Sequence, residues 1–308
     1  GPSVERFQHA HFALMPEEQA ARVGELFWSY ATRQAPFANL ENVNLHKDGR
    51  LVVLESSGVP FFGPTGDLRG YRGMDRDITA RKQAERRSAM QAEVSRVLAA
   101  SSSLAEAAQG LLRAIGEPEE WSFGALWECG QGDSTLTCVD WWAAPGVDAA
   151  ALGATTRHLR LRRGEGFPGE IWAEARPRWI ADLPADKDCR RQAEAAALHL
   201  RGAVGFPIRL GEELLGVIDF LGMSMSEPDL ALQEAFESVG RQIGLFVDRR
   251  RGERALRRFV SGSPAVIYAL RIEAEGQRLV WYSDNIEAMT GWESIPGDGA
   301  RWWAENVH

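Results

Sequence analysis

Two helix-forming stretches bracket a strand-rich block, and that arrangement limits the fold more than any single motif does. Residues 80–115 read ARKQAERRSAMQAEVSRVLAASSSLAEAAQGLLRAI, dominated by residues with strong helix propensity. Met90, Val94, Val97 and Leu98 fall on one face. Asp77 or Thr79 supplies a side-chain oxygen suited to an N-cap. The polar part, Arg81–Arg87, has no core face and suits a connector. The second stretch starts near Pro228, where Leu232, Phe236, Val239, Ile243 and Phe246 recur at alternating steps of four and three. That is the spacing of a coiled-coil or bundle seam. It stops at Arg249–Arg254, a charged run that reads as a solvated helix face. An isolated helix gains most of its stability from packing. The two apolar faces, doubled in a homodimer, therefore predict a four-helix bundle with Leu232, Phe236, Val239, Ile243 and Phe246 at the seam.

Between these helices, residues 121–220 read as an α/β unit. The strand-like runs are Phe123–Glu128, Leu136–Trp142, Arg178–Asp182, Gly202–Leu210 and Leu214–Leu221, the last two joined by the hairpin turn Gly211-Glu212-Glu213. A glycine-bracketed helix start, Gly164–Gly169, and an alanine-rich helix, Arg191–Leu200, lie among them. Residues 37–78 also read as strands, turned at Lys47-Asp48-Gly49 and Pro64-Thr65-Gly66-Asp67. After residue 259 strand character returns in Ala265–Ile272 and Arg278–Trp281, followed by a short polar helix at Asn285–Thr290.

The formal net charge is −8, from 43 acidic and 35 basic side chains. An acidic balance lacks the electrostatic footprint of a nucleic-acid binder. No apolar run approaches the roughly 18 residues of a membrane span, and the N-terminus has no apolar signal core. Gly1-Pro2-Ser3 reads as the remnant of a cleaved purification tag. Three cysteines without a secretion signal suggest reduced thiols and a cytoplasmic location. Eleven tryptophans supply core area or an aromatic-lined pocket.

At these residues the chain resembles two sensor families. GYRGMDRDITARKQAE (70–85) is similar to the last strand and exit (PAC) motif of PAS domains, with Asp77-Ile78-Thr79 opening the signalling helix. Residues 259–308 resemble the opposite, N-terminal half of a second PAS domain. GEGFPGEIW (164–172), RWIADLP (178–184) and GAVGFPIRLGEELLGVIDFLG (202–222) resemble a GAF domain of bacterial multi-sensor kinases. The resemblance implies an α+β fold in which a GAF domain, an antiparallel sheet flanked by helices, sits between two partial PAS domains joined by long signalling helices. The expected divisions are 1–80, 81–258 and 259–308. It further implies a homodimeric input region of a signalling protein, a histidine kinase or a cyclic-dinucleotide enzyme, with a downstream output domain. The fragment itself is expected to have no enzymatic activity. The two PAS halves could also pair between neighbouring molecules.

In the implied fold a ligand cavity lies between the sheet and residues 164–200, with Trp172, Trp179, Asp182, Cys189, His199 and Phe206 as its lining. The residues name no cofactor. A bilin would need Cys189, which lacks the following histidine typical of phytochrome-like relatives. A haem would need His158 or His199. Small GAF-fold methionine sulfoxide reductases use three cysteines, but Cys129, Cys138 and Cys189 do not fall on their positions. Gly222–Ser226 departs from the cyclic-nucleotide-binding pattern. Gly164, Gly166 and Gly169 match a dinucleotide spacing without its acidic partner, and read instead as a turn that starts a helix. No catalytic triad or zinc motif is present.

Overall fold

The computed structural model describes residues 14–130, 135–186, 188–223, 230–261, 266–273, 276–283 and 285–287. Helix α1 (Glu17–Arg33) leads into a three-stranded antiparallel sheet of β1 (Phe37–Leu45), β2 (Leu51–Phe62) and β3 (Leu68–Asp77), in the order β1-β2-β3. Both turns read from the sequence are present, with Gly49 at φ 91° and Gly66 at φ 79°, conformations that favour glycine. Phe27, Phe37 and Tyr71 join α1 to the sheet, their ring centroids 5.3–5.9 Å apart. The Tyr71 hydroxyl donates to the carbonyls of Tyr30 (3.1 Å) and Ala35 (2.9 Å).

The sheet is tied to the next helix, α2 (Thr79–Ala100), by the Asp77-Ile78-Thr79 motif. The Asp77 carboxylate accepts from the Thr79 amide (2.9 Å) and hydroxyl (2.6 Å), which lowers the Asp77 pKa. The Thr79 hydroxyl in turn accepts from the Val53 amide of β2 (2.9 Å), and Ile78 is buried. Arg81–Glu55 (2.9 Å) and Lys82–Glu41 (2.7 Å) complete the joint. Helix and sheet therefore meet through hydrogen bonds of fixed geometry.

The central unit is a six-stranded antiparallel sheet of β4 (Phe123–Cys129), β5 (Thr135–Ala143), β6 (Arg160–Arg162), β7 (Arg178–Ile180), β8 (Gly202–Leu210) and β9 (Glu213–Gly222), in the order β6-β5-β4-β9-β8-β7. Strand alternation gives it two buried faces. On one, Leu126, Val204, Phe206, Ile208, Ile218 and Phe220 pack against α2, α3 (Leu104–Gly116) and α7 (Leu230–Ser261). On the other, Phe123, Ala125, Trp127, Ala203, Val217 and Leu221 are covered by α4 (Ala150–His158), α5 (Gly166–Glu174) and α6 (Gln192–Ala197). Beyond α7, β10 (Tyr268–Glu273) pairs with β11 (Gly276–Tyr282) in a two-stranded ribbon. Of the polar helix expected at Asn285–Thr290 only the first three positions fall within the described residues, and Pro228 and residues 288–308 lie outside them.

The first connecting helix, α2, ends at Ser101-Ser102-Ser103, where Ser103 caps the separate α3 by accepting from the Glu106 amide. Two expectations need correction. The seam residues Leu232, Phe236, Val239 and Ile243 are buried inside this one chain, with Phe246 packed at the edge of the same core. Phe236 stacks on Phe206 with centroids 4.8 Å apart, so this stripe faces the sheet and is closed to a second molecule. The Arg249–Arg254 run is not wholly a solvated face. Arg250 donates to the carbonyl of Ser101 at the end of α2 (2.7 Å), a position favoured by the helix dipole. Arg251 pairs with Glu128 (3.5 Å) and Glu213 (3.4 Å) at the ends of β4 and β9.

Helix α7 touches β8 backbone to backbone. A Cβ on Gly240 would lie 2.2 Å from the Pro207 carbonyl oxygen, and one on Gly244 2.2 Å from that of Arg209. Gly252, on the same helix, has open space around it. Replacing Gly244 by alanine is therefore expected to cost about 1–3 kcal/mol through overpacking, whereas Gly252→Ala should be neutral or stabilise by up to about 1 kcal/mol. Urea unfolding of the two variants checks this; equal effects would disprove the backbone contact.

Candidate functional site

Strand β9 reads ELLGVIDFLG, an apolar run with one internal charge. Period-two alternation turns Asp219 to the same face as Val217 and Leu221, under α4–α6, where it is fully buried. Its carboxylate accepts from Trp127 Nε1 on β4 at 2.5 Å. Its other oxygen accepts from Arg191 Nη2. Arg191 stands just before α6 and is itself only 3% exposed. The guanidinium lies 5.5 Å from the Trp127 ring and 6.0 Å from the Phe123 ring, in cation–π range. A buried arginine, a buried aspartate and two aromatic rings thus form one polar island in an apolar face.

The island is incompletely satisfied. Arg191 Nη1 is buried and has no hydrogen-bond partner. A buried donor without an acceptor costs about 1–3 kcal/mol, and a buried ion pair stabilises only when its remaining donors are met. The segment presenting Arg191 is held by polar contacts. Arg190 pairs with Glu165 beside α5 (2.9 Å), Gln192 Nε2 donates to the Pro184 carbonyl (2.7 Å), and the Thr155 hydroxyl on α4 donates to Glu194 (2.7 Å).

The lining expected from the sequence is not brought together. Trp172 and Cys189 pack into the face that holds Asp219. Trp179 and Phe206 pack into the opposite face, Trp179 edge-on to Trp121 at 5.7 Å. Asp182 precedes a short 3-10 turn and is exposed, as is His199, which has φ 56° after the end of α6. The alanine-rich helix is shorter than expected, Gln192–Ala197, and so ends before His199. Arg191, Asp219, Trp127 and Phe123 were not singled out. The signal for Asp219 was available, since one carboxylate within a fully apolar strand needs a buried partner. No sequence signal paired it with Arg191.

The other candidate chemistry finds little support in the geometry. Gly164–Gly169 is the turn that starts α5, with the Gly164 amide donating to the Gly169 carbonyl (2.7 Å). His158 and His199 are both exposed. Burial pushes the Cys129 thiol up to about 11 and the Cys138 thiol up to about 12, and it raises Cys189 as well. The thiolate is the reactive form, so these half-buried thiols are poor nucleophiles at neutral pH. No helix among the described residues is long and apolar enough to cross a membrane.

Two predictions follow from this geometry. Arg191→Ala leaves Asp219 buried without its counter-ion and is expected to cost about 3–5 kcal/mol, read by urea unfolding; a loss typical of a surface change would show that the pair is exposed in solution. Alkylation of the native thiols at pH 8 should be at least about tenfold slower than in urea. Because the folded thiol pKa values lie above the unfolded ones, their contribution to stability is present at neutral pH and lost as pH rises through about 11 and 12. Native-state alkylation as fast as in urea would contradict the burial.

Residues 101–248 match the family described as GAF domain. No curated protein matches the chain in sequence. Among solved structures, the chain is similar to the GAF domain of a phosphoenolpyruvate-protein phosphotransferase from Coxiella burnetii, at 17% identity and TM-score 0.46, covering 55% of this chain and 98% of that one. It is also similar to free methionine-R-sulfoxide reductase from Neisseria meningitidis in complex with its substrate, at 15% identity and TM-score 0.45, covering 56% and 93%. A third likeness is the chromophore-binding domain of the bacteriophytochrome RpBphP3 from R. palustris, at 11% identity and TM-score 0.43, covering 79% and 82%. The family match carries the conclusion: residues 101–248 of this chain are a GAF domain.

Proposed function

We propose that this chain is the sensory and dimerisation input region of a bacterial signal-transduction protein, of the histidine-kinase type, in which the state of the GAF domain is relayed through its flanking helices. The observation that carries this reading lies in β9. Asp219 faces the buried polar island, while its neighbours Ile218 and Phe220 face the core formed with α2, α3 and α7. A change at the island acts on the strand whose other face seats the helices. The paired strand β8 meets α7 backbone to backbone at Gly240 and Gly244, so a displaced strand has no side chain to absorb the movement. A ligand drives such a shift by binding two arrangements with different affinity.

The flanking pieces are consistent with this role. The proposal takes the three-stranded sheet with its Asp77-Ile78-Thr79 joint, and the β10–β11 ribbon, as the partial PAS domains that the sequence resemblance implies. Helix α2 is linked to α7 by Gln242 donating to the Ser95 hydroxyl (2.7 Å), so input from either side reaches one helix pair. The raised thiol pKa values favour this reading over a thiol-dependent reductase.

A homodimer is part of the proposal, with a seam different from the one that the hydrophobic repeat suggested. Leu245, Leu256 and Phe259 on α7 are 60–77% exposed and spaced along one side of its C-terminal half. Leu245→Glu with Phe259→Glu is expected to yield monomer in sedimentation equilibrium with unfolding stability near that of the wild type. Ile243→Glu should instead lower stability by several kcal/mol, as a charge placed in the core does. A dimer of unchanged affinity in the double variant would remove this seam, and a fully stable Ile243→Glu monomer would restore the original one.

A further inference from the structure

We infer that the Asp219 island is a cation-recognition site that the chain fills with its own Arg191, and that its external ligand is a small guanidinium or primary ammonium compound that displaces this side chain. The inference rests on the sensory reading above and names the ligand class for that site.

The chemistry of the floor argues for a cation. Asp219 is the fully buried carboxylate there, fixed by the Trp127 indole N–H, and Phe123 and Trp127 present ring faces on the guanidinium side. A fixed carboxylate with aromatic faces around it is complementary to a planar or compact organic cation. An anion would meet a carboxylate in a low-dielectric site, and a neutral molecule would leave Asp219 charged and unpaired once Arg191 moved away. The present occupant fills the site imperfectly. Arg191 satisfies Asp219 through Nη2 but leaves Nη1 buried and unpartnered. Its backbone is set at the start of a helix of six residues, which limits the positions its guanidinium can reach. A free cation has no such tether. It can pair with Asp219 while Arg191 regains water, and the exchange keeps the buried charge balanced throughout.

Release of Arg191 also gives the site a structural consequence. Arg191 is the N-cap residue of α6, and its neighbour Arg190 pairs with Glu165 at the start of α5. Withdrawing the guanidinium shifts α6 against α4 and α5, and frees Asp219 on β9 to re-form its hydrogen bonds around the newcomer. Occupancy is thereby read on the strand that the helices sit upon.

The experiment is chemical rescue in the full chain. Arg191→Ala is titrated with propylguanidinium, butylammonium and the neutral isostere propylurea, each at up to about 10 mM, below denaturing levels, and thermal unfolding is followed. The expected result is a rise in Tm with either cation and at least about tenfold tighter binding than propylurea, abolished in Arg191→Ala/Asp219→Asn. Equal rescue by propylurea, or rescue that survives Asp219→Asn, would overturn the inference. Should Arg191→Ala not fold, the indole N–H resonance of Trp127 in the wild-type chain, assigned with Trp127→Phe, gives the second reading. Movement with propylguanidinium and not with propylurea supports displacement of Arg191, and no movement with either refutes it. Hydrogen exchange of α7 on the same samples separates the two readings. Rescue with unchanged α7 exchange keeps the cation site and removes the relay. Absent rescue with α7 exchange still altered by Arg191→Ala removes the cation site alone.

Discussion

Helix α7 lies on β8 with no side chain between them at Gly240 and Gly244, and the rest of the GAF unit is arranged around that seating. Backbone contact at two points one turn apart fixes the angle and height of the helix over the sheet. Leu232, Phe236, Val239 and Ile243 then reach the sheet face, and Phe236 meets Phe206 ring to ring. Helices α2 and α3 fill the remainder of that face through Met90, Val94, Leu111, Leu112 and Ile115. Close packing of this kind transmits displacement, because interiors have little free volume to take it up.

The opposite face follows a different rule. It carries an apolar cover of α4, α5 and α6, yet at its centre it holds a buried ion pair with a donor left over. A buried pair is a poor source of net stability. The apolar packing around it, and not the pair itself, is therefore what holds α4, α5 and α6 on this face. The sheet thus separates two faces, one that holds the buried ion pair and one that seats α2, α3 and α7.

At the N-terminal end, the joint at Asp77-Ile78-Thr79 shows how a short polar motif can serve mechanically. One threonine hydroxyl both donates to Asp77 and accepts from the Val53 amide of β2. Helix α2 consequently starts in a fixed relation to the three-stranded sheet and ends beside the Arg250 side chain of α7. These contacts form a continuous path of hydrogen bonds and packed side chains from the small sheet to the long helix.

Much of this was legible in the chain of residues alone. The turns at Gly49 and Gly66, the β8–β9 hairpin, the helix opening at Asp77-Ile78-Thr79 and the start of α5 at Gly164–Gly169 were all read at their positions. They depend on local chemistry, namely turn residues, caps and period-two alternation, which neighbouring residues are enough to specify. What local pattern could not supply was the partner of each buried face. The stripe of α7 has the same period whether it meets a second helix or a sheet, and only the absence of a Cβ at Gly240 and Gly244 against β8 decides for the sheet. Nor did proximity in sequence place the pocket residues. Trp179 and Phe206 lie on strands and turn to one face, Trp172 and Cys189 belong to the segments that cover the other, and Arg191 and Asp219, 28 residues apart, are joined only when α6 folds over β9. Sequence by itself determined the elements, their order and the α+β character of the chain; tertiary structure alone decided which faces meet and therefore where the charge is buried, because burial is a property of what covers a residue, and the cover comes from far along the chain.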